Sequence, residues 1–136
     1  MEYRLEEIRA SYGGLLVVDG VSLSLKPGPV TVVLGPSGCG KTTLLNVAAG
    51  LKAPDSGARL GFDGCAFSYA FQEDRLLPWL SSRENLAYAL SGSMGRREAL
   101  GRVDRFLGVA GLSAFSAARP RELSGGMRQR LSLARA

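Results

Sequence analysis

The sequence has 136 residues, 46% of them hydrophobic and 21% charged, which suits one folded domain rather than a disordered segment, and no apolar run reaches the roughly 18 residues of a membrane-spanning helix. It contains no histidine, and its two cysteines, Cys39 and Cys65, are not spaced as metal ligands, so His-based catalysis is excluded and a zinc site or a disulfide is not expected. The net charge of +5 comes from scattered rather than clustered arginines, so we do not expect nucleic-acid binding, and we expect a cytosolic protein.

The first half of the sequence has the pattern of β-strands on either side of a glycine-rich segment. Residues 3–9 and 21–25 predict two short strands, the second because apolar residues alternate with serines. Residues 30–34 form a continuous, mostly β-branched run, which predicts a strand buried on both faces of a parallel sheet. The other predicted elements here are a helix over 41–49 that Gly50 ends and strands near 59–62 and 66–71.

The second half has helical patterns. Ser81 and Glu84 have the spacing of a capping box, which predicts a helix through about Leu90. A last helix is expected to start near Ser124. Apolar residues at intervals of three and four predict one buried face on each remaining helix: Leu100, Val103, Phe106, Leu107 and Ala110 on the first, and Met127, Leu131 and Ala134 on the second.

The strongest motif lies between the predicted strand at 30–34 and the helix that follows. It has the spacing G-x-x-x-x-G-K-S/T. Glycines let backbone N–H groups converge on phosphate oxygens, and the helix N-terminus adds partial positive charge. Lys41 then reaches the β- and γ-phosphates, and the Thr42 hydroxyl binds Mg²⁺. The predicted ATP-binding residues are Gly35, Pro36, Ser37, Gly38, Cys39, Gly40, Lys41, Thr42 and Thr43.

The alternative is a structural glycine loop that contains a lysine by chance. The strand predicted before the loop and the helix predicted after it argue against this alternative. Cys39 is interpreted as a small loop residue rather than as a reactive thiol, although an exposed thiol at a helix N-terminus would be acidified. Up to this point the sequence predicts a P-loop nucleotide-binding protein whose cofactors are ATP and Mg²⁺.

A second motif, Leu-Ser-Gly-Gly-Met-Arg-Gln-Arg at 123–130, opens the predicted last helix. It resembles the signature motif of ABC ATPases residue for residue, and the resemblance covers essentially the whole chain. It implies an α/β fold of the P-loop NTPase type, the N-terminal portion of an ABC-type nucleotide-binding domain. The implied parts are an antiparallel β region and P-loop core at 1–73, the Q-loop and helical subdomain at 74–123, and the start of the signature helix at 124–136.

The resemblance also implies roles for two residues outside the phosphate loop. Tyr12 resembles the aromatic residue that stacks on adenine. Gln72 resembles the Q-loop glutamine, which would bind Mg²⁺ and, with Lys41, form the catalytic set. Taken alone, Tyr12 would be an ordinary core or surface aromatic residue and Gln72 a surface amide.

The signature residues would act on a nucleotide held by another subunit. The resemblance implies a head-to-tail dimer with a second ABC ATPase subunit, in which Ser124, Gly125, Gly126 and Gln129 close over the partner's γ-phosphate. The chemistry agrees, because Ser124 can cap the last helix and the glycine N–H groups carry no shielding side chain. Taken alone, the glycine pair would be a loop.

Residues 72–80, Gln-Glu-Asp-Arg-Leu-Leu-Pro-Trp-Leu, are similar to the importer ATPases of nitrate, sulfonate, taurine or bicarbonate uptake. In that family this surface meets the membrane permease, which implies docking through Leu76, Leu77 and Trp79; these residues could equally cover the core of the helical subdomain. The implied protein hydrolyses ATP and lies on the cytoplasmic face of the membrane through its permease. A non-transport ABC ATPase of translation or DNA repair, and an inactive nucleotide-binding remnant, stay open as alternatives.

The family pattern continues after the signature helix with an apolar strand ending in Asp-Glu, a D-loop and a switch histidine. These features are not among the 136 residues. We therefore expect a piece of a longer domain, with its C-terminal core strands missing. Because the glutamate that orients or deprotonates the attacking water is not present, we expect poor solubility or weak ATP binding, and negligible hydrolysis.

Overall fold

The computed structural model describes residues 2–91 and 94–136. The chain divides into two compact units, and the boundary along the sequence lies between Phe67 and Ser68. Gln72 therefore belongs to the second unit, whereas the sequence placed residues up to 73 with the first. Within the described residues, no helix is both long enough and apolar enough to cross a membrane.

The first unit contains an antiparallel sheet and one helix. Its strands are β1 (Tyr3–Tyr12), β2 (Leu15–Leu25) and β3 (Ser56–Leu60), and its helix is α1 (Lys41–Ala48). β1 is the central strand, with β2 on one side and β3 on the other, both antiparallel to it. One face of this sheet packs with α1, and the buried apolar residues of this unit's core are Leu5, Ile8, Ala10, Val18, Leu44, Val47 and Phe62.

Two strand predictions are wrong in this structure. Residues 30–34 and 66–71 are described, but they form no strand. Val30, Val32 and Leu34 are 89%, 68% and 85% exposed, the opposite of the predicted burial. A strand takes its backbone hydrogen bonds from neighbouring strands, and the three-stranded sheet provides no partner for either segment in the described part of the chain.

The helix predicted after the glycine-rich loop is confirmed, and so is its stop. Gly50 has φ of 75°, its N–H donates to the carbonyl of Val47 (3.0 Å), and the N–H of Leu51 donates to that of Asn46 (2.9 Å). This is the Schellman arrangement, in which a glycine in the left-handed conformation ends the helix. Arg59 completes this end of α1, since its Nε donates to the carbonyl of Ala48 (2.9 Å).

The second unit is helical, with α2 (Ser82–Leu90), α3 (Arg96–Val109) and α4 (Gly125–Arg135), and short 3₁₀ turns at Ser113–Phe115 and Pro120–Glu122. The predicted capping box is confirmed: Ser81 Oγ accepts from the Glu84 N–H (3.2 Å), and Glu84 Oε2 accepts from the Ser81 N–H (2.7 Å). The helices enclose a core of Leu76, Leu86, Val103, Leu107, Ala110, Leu112, Leu123 and Leu131.

The predicted apolar face of α3 is too wide. Val103, Leu107 and Ala110 are buried, whereas Leu100 and Phe106 are exposed. Successive helical residues are rotated by about 100°, so residues 103, 107 and 110 form a narrow stripe that leaves 100 and 106 at its margins. On α4 the prediction is confirmed, because Leu131 is buried and Met127 and Ala134 pack against the same core.

Candidate functional site

The N-terminus of α1 offers unpaired backbone N–H groups. The first hydrogen bond of this helix runs from the N–H of Leu44 to the carbonyl of Gly40 (2.9 Å). The N–H groups of Lys41, Thr42 and Thr43 precede that bond and have no acceptor in the helix. The first turn, all of it described, has no acidic residue and no side-chain cap. The helix end therefore keeps its partial positive charge for an anion.

Gly40 fixes the loop against β2. Its φ is 91°, and a Cβ built there would lie 2.7 Å from the carbonyl oxygen of Val17. Only glycine satisfies both conditions without strain. The contact leaves a cleft of about 270 Å³ between the loop and β2, lined by Val17, Val18, Asp19, Val21, Val33, Leu34, Cys39, Gly40, Lys41 and Leu44.

The side chain of Lys41 folds back over the loop. Its Nζ donates to the carbonyls of Gly35 (2.9 Å) and Pro36 (2.6 Å), and it lies 3.7 Å from the Sγ of Cys39, whose thiol is free and exposed. The ammonium is thus bonded to the backbone of its own loop. Its role with a phosphate stays a prediction.

The two threonines of the predicted site differ in exposure. Thr42 is exposed, so its hydroxyl is open to a ligand. Thr43, the third residue of α1, is buried, which leaves only its backbone N–H for a nucleotide. A contact between the Thr43 hydroxyl and a bound nucleotide does not fit this structure.

Tyr12 ends β1, just before the Gly13-Gly14 turn into β2. Tyr12 is 51% exposed, and the ammonium of Lys52 lies 4.7 Å from its ring centroid. An exposed ring with a cation on one face leaves the other face free to stack. Tyr12 does not line the cleft beside Lys41, and its role with a nucleotide stays a prediction.

In the second unit, Gln72 lies beside the signature helix. A cavity of about 640 Å³ is lined by residues 70–74 and, on α4, by Gly125, Gln129, Ser132 and Leu133. The sequence predicted that Gln72 serves the nucleotide of its own subunit, and that Gly125 and Gln129 serve the nucleotide of a partner subunit. In this structure the three residues line one cavity. Ser124 and Gly126 are not among its lining residues.

The N-terminus of α4 resembles that of α1 in its open N–H groups. Ser124 caps the helix as predicted, its Oγ accepting from the N–H of Met127 (3.3 Å). Gly125 and Gly126 are exposed, and the first turn, fully described, has no acidic residue. This end of the helix can therefore accept an anion.

The sequence did not predict the contact that fixes α4 to the Gln72 segment. Arg128 Nε lies 2.9 Å from Asp74 Oδ2, and Arg128 Nη1 donates to the carbonyl of Leu123 (2.8 Å). Asp74 and Arg128 lie within the segments 72–80 and 123–130, but they are 54 positions apart. The available sequence signal was the opposite charge of the two residues.

The three predicted docking residues have different environments. Leu76 is buried in the helical core, so it cannot meet a partner, and the alternative interpretation applies to it. Leu77 is half-buried, and Trp79 is 66% exposed. Asn85, which the sequence did not single out, is fully buried beside this segment and hydrogen-bonds to its backbone.

Three relatives are similar over most of this chain. The aliphatic sulfonates import ATP-binding protein SsuB 1 of Pseudomonas aeruginosa is 45% identical over 143 residues, covering 96% of this chain and 56% of its own length. The taurine import ATP-binding protein TauB of Chromobacterium violaceum is 46% identical, covering 88% and 48%. The Fe(3+) ions import ATP-binding protein FbpC of Rhizobium etli is 40% identical, covering 96% and 40%. The chain thus spans about half the length of the curated relatives it matches.

A solved structure described as the dimeric form of a bacterial ABC transporter cassette aligns with a TM-score of 0.85 at 28% identity, covering 98% of this chain and 68% of that one. Another, described as the dimeric post-hydrolysis state of an ATP-binding cassette bound to ADP and phosphate, has a TM-score of 0.82 at 27% identity over the same shares. These matches confirm the predicted fold class. A profile of the family described as ABC transporter matches residues 18–136.

Proposed function

Since this chain belongs to the ABC transporter family, we propose that it is the ATP-binding part of an import system and couples ATP binding and hydrolysis to solute uptake through a membrane permease. The observation that carries the proposal is the loop before α1. There, the Lys41 ammonium and the unpaired N–H groups of a helix N-terminus converge on one concave surface. That combination suits a polyphosphate.

ATP and Mg²⁺ fit the residues at this loop. Gly40 lets the loop pack closely against β2, and the N–H groups of Lys41, Thr42 and Thr43, which have no acceptor within the helix, are available to phosphate oxygens. The exposed Thr42 hydroxyl is the kind of hard oxygen ligand that Mg²⁺ takes, and the ion would neutralise phosphate charge. Tyr12 would stack on the adenine, and Gln72 would add a ligand to Mg²⁺.

The signature end of α4 would serve a second subunit. We assign Ser124, Gly125, Gly126 and Gln129 to the γ-phosphate held by the partner in a head-to-tail dimer. The open N–H groups at this helix end support the assignment. The two similar solved structures are described as dimeric, which agrees with it.

The relatives named for import support a permease as the membrane partner. Trp79, with the half-buried Leu77, would meet that permease, and the chain would lie on the cytoplasmic face of the membrane through this contact. For the solute, an organic sulfonate agrees with the segment at 72–80 and with two of the three relatives described above, while the third is named for iron.

Calorimetric titration of the 136-residue polypeptide with ATP and Mg²⁺ tests the nucleotide site. We expect Lys41→Ala to weaken binding at least about tenfold, because hydrogen bonds from charged groups are worth roughly 1.5–3 kcal/mol. Lys26→Ala, which removes an exposed lysine outside the loop, is the matched control and should bind like the wild type. Equal affinity for the wild type and Lys41→Ala would contradict the proposed site.

A phosphate-release assay on the same samples separates binding from turnover. The residues that the family resemblance assigns to water activation are not among these 136. We therefore expect this polypeptide to bind nucleotide without appreciable hydrolysis. Sustained phosphate release that Lys41→Ala abolishes would overturn this expectation.

A further inference from the structure

Asn85 is a polar residue with no access to solvent, in the first turn of α2. Within the described residues, its side chain hydrogen-bonds to the backbone of the segment that precedes the helix. Its Oδ1 accepts from the N–H of Leu77 (2.9 Å), and its Nδ2 lies at hydrogen-bond distance from the carbonyls of Leu77 (3.1 Å), Leu80 (3.2 Å) and Ser81 (3.0 Å). A buried amide is stable only when such partners are present.

These contacts define the orientation of the amide. One N–H faces Oδ1 and three carbonyls face Nδ2, so exchanging the two atoms would place an oxygen against three acceptors. Nδ2 has two hydrogens for three carbonyls, so one bond is shared, as three-centre bonds commonly are. One side chain therefore fixes the backbone at three positions of the segment 77–81, which we call the docking turn.

The docking turn presents the exposed tryptophan. The N–H of Leu80 donates to the carbonyl of Leu77 (3.2 Å), which closes a turn with Pro78 and Trp79 at its central positions. Proline fixes φ at the first of these positions. The proline and the hydrogen bond restrict the backbone of the turn, and in this conformation Trp79 is 66% exposed.

We propose that Asn85 is a positioning residue for partner binding: it holds the docking turn in the conformation that exposes Trp79. Aromatic residues dominate many interfaces, and an anchor that is already ordered loses less conformational freedom on binding. The identity of the partner, a membrane permease, rests on the proposed function. The positioning role rests on the hydrogen bonds of Asn85 alone.

Trp79 is the single tryptophan of the sequence, so tryptophan fluorescence comes from the docking turn. In time-resolved anisotropy, the Asn85→Ala variant should lose amplitude from the slow decay of the folded protein and gain a sub-nanosecond component. Ser82→Ala is the matched control, because that buried hydroxyl donates to the Ala118 carbonyl (3.0 Å) and not to the docking turn. It should destabilise the protein yet leave the anisotropy unchanged. Identical decays for Asn85→Ala and Ser82→Ala would overturn the proposal.

Hydrogen exchange on the wild type keeps the test decisive if Asn85→Ala does not fold. The amide of Leu77 donates to the Asn85 side chain and should be protected from exchange. Exchange at the rate of an open amide would overturn the positioning role. Neither measurement involves a partner or a nucleotide. A negative result in either would therefore contradict the role of Asn85 but not the proposed nucleotide site. Conversely, a negative result in the Lys41 titration would not contradict the role of Asn85.

Discussion

The two units of this chain differ in how far each completes its own core. The helical unit encloses its apolar residues, and Leu107, Leu112 and Leu131 are all but inaccessible to solvent. The first unit buries one face of its antiparallel sheet but leaves the apolar run at 30–34 exposed. A helix makes its backbone hydrogen bonds within one segment, whereas a strand depends on neighbouring strands. The same apolar content therefore leads to a closed core in one unit and an open apolar segment in the other.

The largest expected effect tests this difference directly. Leu131→Ala should lower the free energy of unfolding by about 2–5 kcal/mol, because it leaves a cavity in a closed core. Val32→Ala should change it by no more than about 0.5 kcal/mol, because that side chain is already exposed. Urea unfolding followed by far-ultraviolet circular dichroism measures both. A comparable loss for Val32→Ala would mean that residues 30–34 are packed in solution and that the two units are alike.

A smaller effect would sharpen the comparison in the first unit. Arg59 bonds to the last carbonyl of α1, and its guanidinium lies 4.4 Å from the ring centroid of Phe62. Arg59→Ala should cost about 1 kcal/mol of unfolding free energy, measured in the same way. Arg4→Ala removes an arginine from an exposed ion pair with Glu6 and is the control, expected within about 0.5 kcal/mol of the wild type. Equal losses for the two variants would show that the contact with α1 contributes nothing specific.

The smallest effect is a pH dependence that belongs to the helical unit. Hydrogen bonds from the backbone N–H and then the side chain of Ser81 lower the pKa of Glu84 below its ordinary value of 4.5. A lowered pKa in the folded state means that the stabilisation is present above pH 4.5 and is lost as the pH falls through the folded-state value. Melting temperatures measured downward from pH 6 should therefore fall less steeply for Glu84→Gln than for the wild type. Parallel curves would rule out a titrating capping box.

Local signals in the sequence predicted a large part of this structure. The capping box at Ser81, the stop at Gly50 and the spacing of the phosphate loop each depend on residues a few positions apart, and the structure confirms the two helix boundaries. The strands expected at 30–34 and 66–71 failed because a strand needs partners that its own residues do not specify.

The missed contacts have a different cause. These contacts depend on which segments pack together, and residue type and spacing do not indicate that packing. They are the contacts of Asn85, of Arg59, and of Arg128 with Asp74. For Leu76 the sequence left a partner surface and a core position equally open, because an apolar residue near a loop has the same pattern in both cases. Only the burial of Leu76 in the helical core separates the two.

The folded-back side chain of Lys41 has a consequence for kinetics. Its ammonium is already bonded to the carbonyls of Gly35 and Pro36, so an arriving phosphate must replace two existing partners rather than meet a solvated cation. Under the proposed function, the two carbonyls would compete with a bound phosphate for the Lys41 ammonium. We therefore expect them to shorten the residence time of a nucleotide at the loop.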